Sequence, residues 1–422
     1  MEIKKLDIDL STDGWEVSGG RSGNVWGQVP TSNLPLDQIE KSISEGKMLS
    51  IWTCYDKVIY RFDENGKLLP LDRKKLPKTM SATFKPTFSK YSAIAENMAM
   101  RITAELDMPT SFNYLVSFDA GEYPQIIANF QTKSNAERVQ KIGIVSVDFL
   151  QVVALDREIE EEVRVIRDGK IDWEKQKRNY SCDELVYFAD IMNIAKSMQS
   201  LSGSNFSIKN WLKSIDMLAE RYVPDFPKDK LKHQIEKINS RAVRSFLTRE
   251  FLGDCDFTDL NGGWVINNDA QILRYAPNFD FGESFNALIT TKLDYMPPEK
   301  ELAEILKWDP TYIEKKEKKA KETSVLSISQ TYASDSSKEN LRFVLQNYPK
   351  EVNEFITNLN KAMNEGKLDK IVDSYTEMTN NGQALLTKEE SKMFKEYLHG
   401  RTNWLNVLAE HYKDAEEKEI IK

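Results

Sequence analysis

Three cysteines, three histidines and no long apolar run mark this chain of 422 residues. Cys54, Cys182 and Cys255 are dispersed, with no C-x-x-C pair, so neither a disulfide framework nor a zinc site is indicated. His233, His399 and His411 lie far from every cluster of candidate chemistry, which removes most histidine-based hydrolase and metalloenzyme readings. No segment reaches the roughly 18 apolar residues that a membrane span requires. The first residues, MEIKKLDIDLSTDG, are too acidic and interrupted for a signal peptide. The expectation is a soluble, cytoplasmic protein without membrane contact, with export by a route that leaves no such signature still open. Basic excess is also lacking. With 58 Lys and Arg against 66 Asp and Glu, the net charge is −8 and the pI about 5.3. A nucleic-acid binder would carry a basic stripe, so no nucleic-acid partner is expected. The length suffices for two or three packed units whose cores need no disulfides.

What is present concentrates between residues 251 and 285, FLGDCDFTDLNGGWVINNDAQILRYAPNFDFGESF. Val243, Phe246, Leu247 and Phe251 share one helical face, and Gly253 is a stop signal for that helix. Trp264, Val265 and Ile266 form a short apolar run of strand character, Asn267, Asn268 and Asp269 have turn chemistry, and residues 271–275 return as a second strand. That hairpin carries the chain from Asp256 and Asn261 to Asp280, which stands in an Asp-Phe-Gly triplet with Phe281 and Gly282. Phosphoryl transfer needs such a set: one carboxylate for the proton of the attacking hydroxyl, and an Asn and a second Asp to hold magnesium on ATP phosphates. The five-residue step from Asp256 to Asn261 is the D-x-x-x-x-N spacing of a kinase catalytic loop. Asx-rich turns are common, so the weight lies in order and strand context together with spacing. Cys255, beside Asp256, reads as a small packing residue.

These residues resemble the HipA-like serine/threonine kinases, most of all the CtkA-type branch. That family carries G-N-x-D-R-H-x-x-N-x-G, a hairpin and then A-P-x-x-D-x-G; this chain has GDCDFTDLNGG at 253–263 and APNFDFG at 276–282. The resemblance implies that Asp256 is the catalytic Asp and that Asn261 and Asp280 are the metal ligands, with ATP and Mg2+ as cofactors. Phe257 and Thr258 depart from the pattern, standing where the family has Arg and His.

Two upstream segments extend the likeness. Residues 18–25, SGGRSGNV, are similar to the family's glycine-rich loop, in which Gly19, Gly20, Ser22, Gly23 and Asn24 would cradle phosphates through an anion-binding nest of N–H groups. Gly-Ser clusters also mark ordinary turns. Residues 80–86, ending on Lys85 and Pro86, resemble the family's phosphate-clamping strand, and the helix over 95–106 that follows carries Glu96. Lys85 would contact the α- and β-phosphates, and Glu96 would pair with it or sit near the metal. A solvated strand-end lysine and a carboxylate stabilised by a helix N-terminus are the plain alternatives.

The organisation follows. Residues 1–148 are expected to form a β-rich N-lobe with the glycine-rich loop and Lys85. Its strands fall within 52–62, 111–118 and 142–149, and backbone groups at 146–149 would meet adenine. Residues 149–335 are expected to form a helical C-lobe with the catalytic and metal-binding loops, including helices over 185–201, 211–222 and 231–247. The charge-dense stretch 157–168 reads as a solvated helix or strand connection. The lysine-rich run 315–321 and the Ser/Thr-rich 324–337 read as linker. Residues 336–422 are a helical extension without motif chemistry. The fold class is therefore α+β, a two-lobed kinase-like architecture with that extension.

The implied activity is ATP- and magnesium-dependent phosphorylation of a protein Ser or Thr hydroxyl, with autophosphorylation, Ser22 being the candidate acceptor. By resemblance a neutralising antitoxin-like partner also comes into view. A pseudokinase that binds without turnover, and a small-molecule kinase on the same scaffold, remain open.

Overall fold

The computed structural model describes residues 1–8, 25–45, 69–87, 89–119, 141–148, 157–167, 170–180, 184–187, 208, 212, 228–254, 262–267, 272–282, 284–285, 288–289 and 335–420. The chain is mixed α/β and divides into two compact units. One comprises Met1–Met100, Pro109–Glu184 and Met378–Leu385; the other comprises Arg101–Met108, Leu185–Glu377 and Leu386–Lys422.

The first unit is built on a five-stranded sheet of β1 (Lys4–Lys5), β2 (Val25–Pro30), β3 (Thr79–Pro86), β4 (Asn113–Ser117) and β5 (Ile142–Val147), in the order β1-β4-β5-β3-β2. Only β1 and β4 run parallel; β2–β3, β3–β5 and β4–β5 are antiparallel. Period-two alternation in β3 puts Met80, Ala82 and Phe84 on one face, all buried. They join Val25, Val29, Val145 and Val147 in a core capped by Ile39 and Ile43 of helix α1 (Leu36–Ser44). The same alternation turns Lys85 to the opposite face. Helix α2 (Lys90–Glu105) is buried on almost all sides from Ala93 through Met100, with Glu96 and Asn97 among the buried residues. Asn97 fixes it to β4, its amide donating to the Asn113 backbone oxygen at 3.0 Å and side-chain oxygen at 2.8 Å.

Two elements differ from the sequence expectation. The charge-dense stretch becomes β6 (Arg157–Arg167), an 11-residue strand paired antiparallel with β7 (Lys170–Tyr180) in register from Arg157 opposite Tyr180 to Arg167 opposite Lys170. The predicted helix over 185–201 opens instead as strand β8 (Glu184–Tyr187). Its apolar residues fit either period over so short a run, and pairing beside β9 decides. The strand pair expected over 52–62, the remainder of that helix, the helix over 211–222 apart from Leu212, and the linker at 315–321 lie outside the described residues.

The second unit holds α3 (Lys228–Leu252) and the hairpin β9 (Gly263–Asn267) and β10 (Ile272–Tyr275), which runs antiparallel with Trp264 opposite Tyr275. Helices α4 (Asp335–Asn347), α5 (Pro349–Asn364), α6 (Lys367–Glu377) and α7 (Lys388–Ile420) follow. Between α6 and α7 the chain makes a small hairpin, β11 (Thr379–Asn380) and β12 (Gln383–Ala384), which belongs to the first unit. There the Ile3 amide donates to the Thr379 carbonyl at 2.8 Å and the Thr379 amide to the Met1 carbonyl at 2.9 Å. Among the described residues no helix is long and apolar enough to cross a membrane.

Gly143, the second residue of β5, lets the Phe84 ring lie against the strand. A β-carbon there would stand 2.5 Å from that ring and 3.1 Å from the Lys85 carbonyl. Gly143→Ala should therefore destabilise the first unit by about 1–3 kcal/mol, the usual cost of overpacking a filled core. A urea midpoint equal to the parent's would contradict this packing.

Candidate functional site

Lys85 and Glu96 come together. Lys85 ends the exposed-face row of β3 and Glu96 stands on the second turn of α2; Lys85 Nζ lies 3.1 Å from Glu96 Oε2, with the carboxylate side chain 4% and the lysine side chain 19% exposed. A solvated lysine would not hold a carboxylate at such burial. Removing either charge would strand the other, which is how a buried pair fixes a geometry more than it adds stability. Pro86 ends the strand directly after Lys85, and the Thr87 hydroxyl donates to the Ile142 carbonyl at 2.9 Å, so the backbone that carries Lys85 is tied to β5.

In the second unit α3 ends as its sequence indicates. Gly253 takes a φ of +63°, the left-handed stop that glycine adopts without a β-carbon penalty. Asp254 follows, and from it the chain enters residues 255–261. Asp256, Asn261 and the departures Phe257 and Thr258 fall there, outside the described residues, as do Gly19, Gly20, Ser22, Gly23 and Asn24.

Asp280 is described. It is exposed, with φ +56°, a left-handed conformation that non-glycine residues seldom take and that gathers at functional sites. Its neighbour Phe281 is buried. Arg249 of α3 holds this turn. Its guanidinium pairs with the Asp254 carboxylate, donates to the Phe279 carbonyl at 2.5 Å and to the Asp280 carbonyl at 3.4 Å, and lies 4.6 Å from the centre of the Phe281 ring. Both charged side chains are at most 1% exposed. Ser245, one turn earlier on α3, donates to Asn278 and bonds the Tyr275 side chain, whose phenol pKa is raised by burial. One helix thus fixes Asp254, the end of β10 and the backbone of Asp280.

The sequence alone did not single out Arg249 and Asp254. The available signal was an arginine amid the apolar face of Phe246, Leu247 and Phe251, with an acid five residues on, just past a glycine stop. Such an arginine must find buried partners.

A magnesium ion bound to nucleotide needs only one or two protein side chains beside phosphates and water. An exposed Asp280 carboxylate on a backbone fixed by Arg249 fits that need. Among the described residues no three His, Cys, Asp or Glu side chains gather as an all-protein metal cage.

No protein-family model matches the chain, and no curated protein matches it. Solved structures similar to it include the Helicobacter pylori proinflammatory kinase CtkA, with TM-score 0.45 and 13% identity over 85% of this chain and 98% of that one. Another is the Shewanella oneidensis MR-1 toxin–antitoxin complex of HipA, HipB and operator DNA, with TM-score 0.31 and 11% identity over 82% of this chain and 61% of that chain. At these identities and TM-scores the chemistry has to be argued from this chain's own residues.

Two measurements test the anchoring. Asp254→Ala leaves the Arg249 guanidinium buried without its carboxylate, and should cost about 3–5 kcal/mol in chemical unfolding; a loss below 1 kcal/mol, within the range of a surface pair, would show the pair to be dispensable. Glu250 supplies a pH test. It is partly covered but set deep among protein atoms; burial raises its carboxyl to about 7, against the pull of nearby Arg401 and with a push from Asp254. The folded state therefore keeps a proton that the unfolded chain releases near pH 4.5. Its contribution is fully present below that pH and is lost as the pH rises through about 7, by roughly 1–3 kcal/mol. Glu250→Gln should flatten this part of the stability profile, and an identical slope in parent and variant would contradict the assignment.

Proposed function

We propose that this chain is a HipA-like protein kinase, two-lobed in architecture, that transfers the γ-phosphoryl group of ATP to a protein Ser or Thr hydroxyl. The observation that carries this reading is the Lys85–Glu96 pair. A strand lysine held 3.1 Å from a helix glutamate at low exposure is the arrangement by which kinases present an ammonium to nucleotide phosphates. The fixed left-handed Asp280 turn supports it independently.

In this reading Lys85 orients the α- and β-phosphates and Glu96 orients Lys85, while the N–H groups of Gly19, Gly20, Ser22, Gly23 and Asn24 cradle the phosphates. Asp256 takes the proton of the substrate hydroxyl as its oxygen bonds to the γ-phosphorus and the bond to the ADP oxygen breaks. Asn261 and Asp280 hold magnesium, which neutralises charge on the phosphates when bound. Self-phosphorylation on Ser22 would place about −1.5 to −2 charges beside the same N–H groups and oppose ATP binding. A pseudokinase is the second reading, favoured by Phe257 and Thr258 at the positions where the family pattern has Arg and His.

Incubation with magnesium-ATP followed by mass spectrometry decides between the two. Phosphate on the parent chain or an added protein establishes turnover; its absence on both favours the pseudokinase. Asp256→Asn should retain ATP binding and lose about 10²–10⁴-fold in rate. Asp280→Ala should lose the magnesium-dependent part of ATP stabilisation, about 2.7 kcal/mol at 100 times the dissociation constant. An undiminished magnesium effect in Asp280→Ala would remove that residue from the site.

A further inference from the structure

The sequence assigns no chemistry to the C-terminal helices, yet α7 returns to both ends of the candidate catalytic segment. Arg401 is 0% exposed. Its guanidinium donates to the Glu250 carbonyl and, at 3.3 Å, to the Phe251 carbonyl. These are among the last carbonyls of α3; that of Glu250 also accepts from the Gly253 amide at 3.1 Å. The Trp404 ring, one turn further along α7, lies 4.0 Å from the same guanidinium. Tyr397, one turn earlier, puts its hydroxyl where a β-carbon on Gly253 would have to be. Three residues before that, Phe394 meets Phe285 edge-on at 5.3 Å, and Tyr397 lies 5.7 Å from the same ring. Phe285 itself has φ +57° and donates its amide to the Leu252 carbonyl at 2.8 Å.

One face of α7 therefore holds residues 250–253, shortly before Asp256 in the sequence, and Phe285, just after the Asp280 turn. A buried guanidinium bonded to two backbone carbonyls suits this better than an apolar side chain would. Its planar fork fixes direction as well as distance, and a helix end held at two carbonyls resists fraying. Arg249 works from inside α3, and Arg401 of α7 bonds the next two residues of that helical turn, 250 and 251, so two arginines set the same junction.

We propose that Arg401, supported by Tyr397, is a positioning residue that fixes, from the C-terminal helix, the end of α3 before Asp254 and, through Phe285, the segment that follows the Asp280 turn. The inference rests on the phosphotransfer reading above. The helical extension is then part of the catalytic unit and not an appended module.

The test compares the full-length parent, Arg401→Met and Arg401→Lys by hydrogen–deuterium exchange and by self-phosphorylation kinetics. In Arg401→Met, exchange at residues 250–254 and 279–285 should rise about tenfold or more, while β3 and β5 stay unchanged, as local opening predicts. The kcat should fall about 10²-fold, the usual effect of misplacing reacting groups by an ångström, with KM for magnesium-ATP within about threefold because the nucleotide-clamping Lys85–Glu96 pair is untouched. Arg401→Lys, which keeps the charge but loses the fork, should fall between the two. Unchanged exchange in these segments, or raised exchange with kcat unchanged, would overturn the proposal. If Arg401→Met does not fold, Arg401→Lys decides by the same readouts. Lack of turnover in the parent sinks the phosphotransfer reading, and exchange alone then decides whether Arg401 holds the segment.

Discussion

A guanidinium buried to the last per cent, as that of Arg249 is, has to be satisfied in several directions at once, because an uncompensated charge in the interior costs several kcal/mol. Asp254 supplies the opposite charge, the carbonyls of Phe279 and Asp280 accept two N–H bonds, and the Phe281 ring covers a face. Each partner is on a different piece of backbone from the helix that carries the arginine. The demand of one side chain therefore orders Asp254 and a turn some 30 residues further along the chain. The left-handed Asp280 is tolerable in that setting: the strain of its backbone is offset by bonds made immediately beside it.

The first unit solves a related problem with different means. Its pair, Lys85 and Glu96, joins a strand to a helix that is buried nearly all round. Neither side chain has much water to turn to, so each fixes the other's direction. Pairing of this kind contributes little to stability, because desolvation offsets most of the attraction. What it does supply is a lysine with a defined direction, which a binding group for phosphate needs.

The C-terminal helices change meaning when seen in three dimensions. They have amphipathic patterns and no motif, so in one dimension they read as an extension. In space, Arg401 bonds to residues 150 positions away, and the hairpin at Thr379 pairs with the first residues of the chain. The hairpin at Thr379 and the face of α7 around Arg401 thus complete structures begun elsewhere in the chain.

The sequence by itself determined the local elements that have strong short-range causes. Alternation in residues 79–86 made β3 and chose the face of Lys85. A glycine past an apolar helical face ended α3 at Leu252, and two short β-rich runs made the paired strands β9 and β10 before Asp280. Tertiary structure decided whatever depended on a partner far along the chain. Residues 184–187 became a strand because β9 lay alongside, and an acidic stretch became β6 because residues 170–180 paired with it. The pairing of Lys85 with Glu96, the bonds of Arg249 to the Asp280 turn and the reach of Arg401 to α3 belong to this second group. The physical reason is the same in each case: a backbone period is set by neighbours in sequence, whereas a buried charge takes its partners from whatever backbone the fold brings within 3–4 Å.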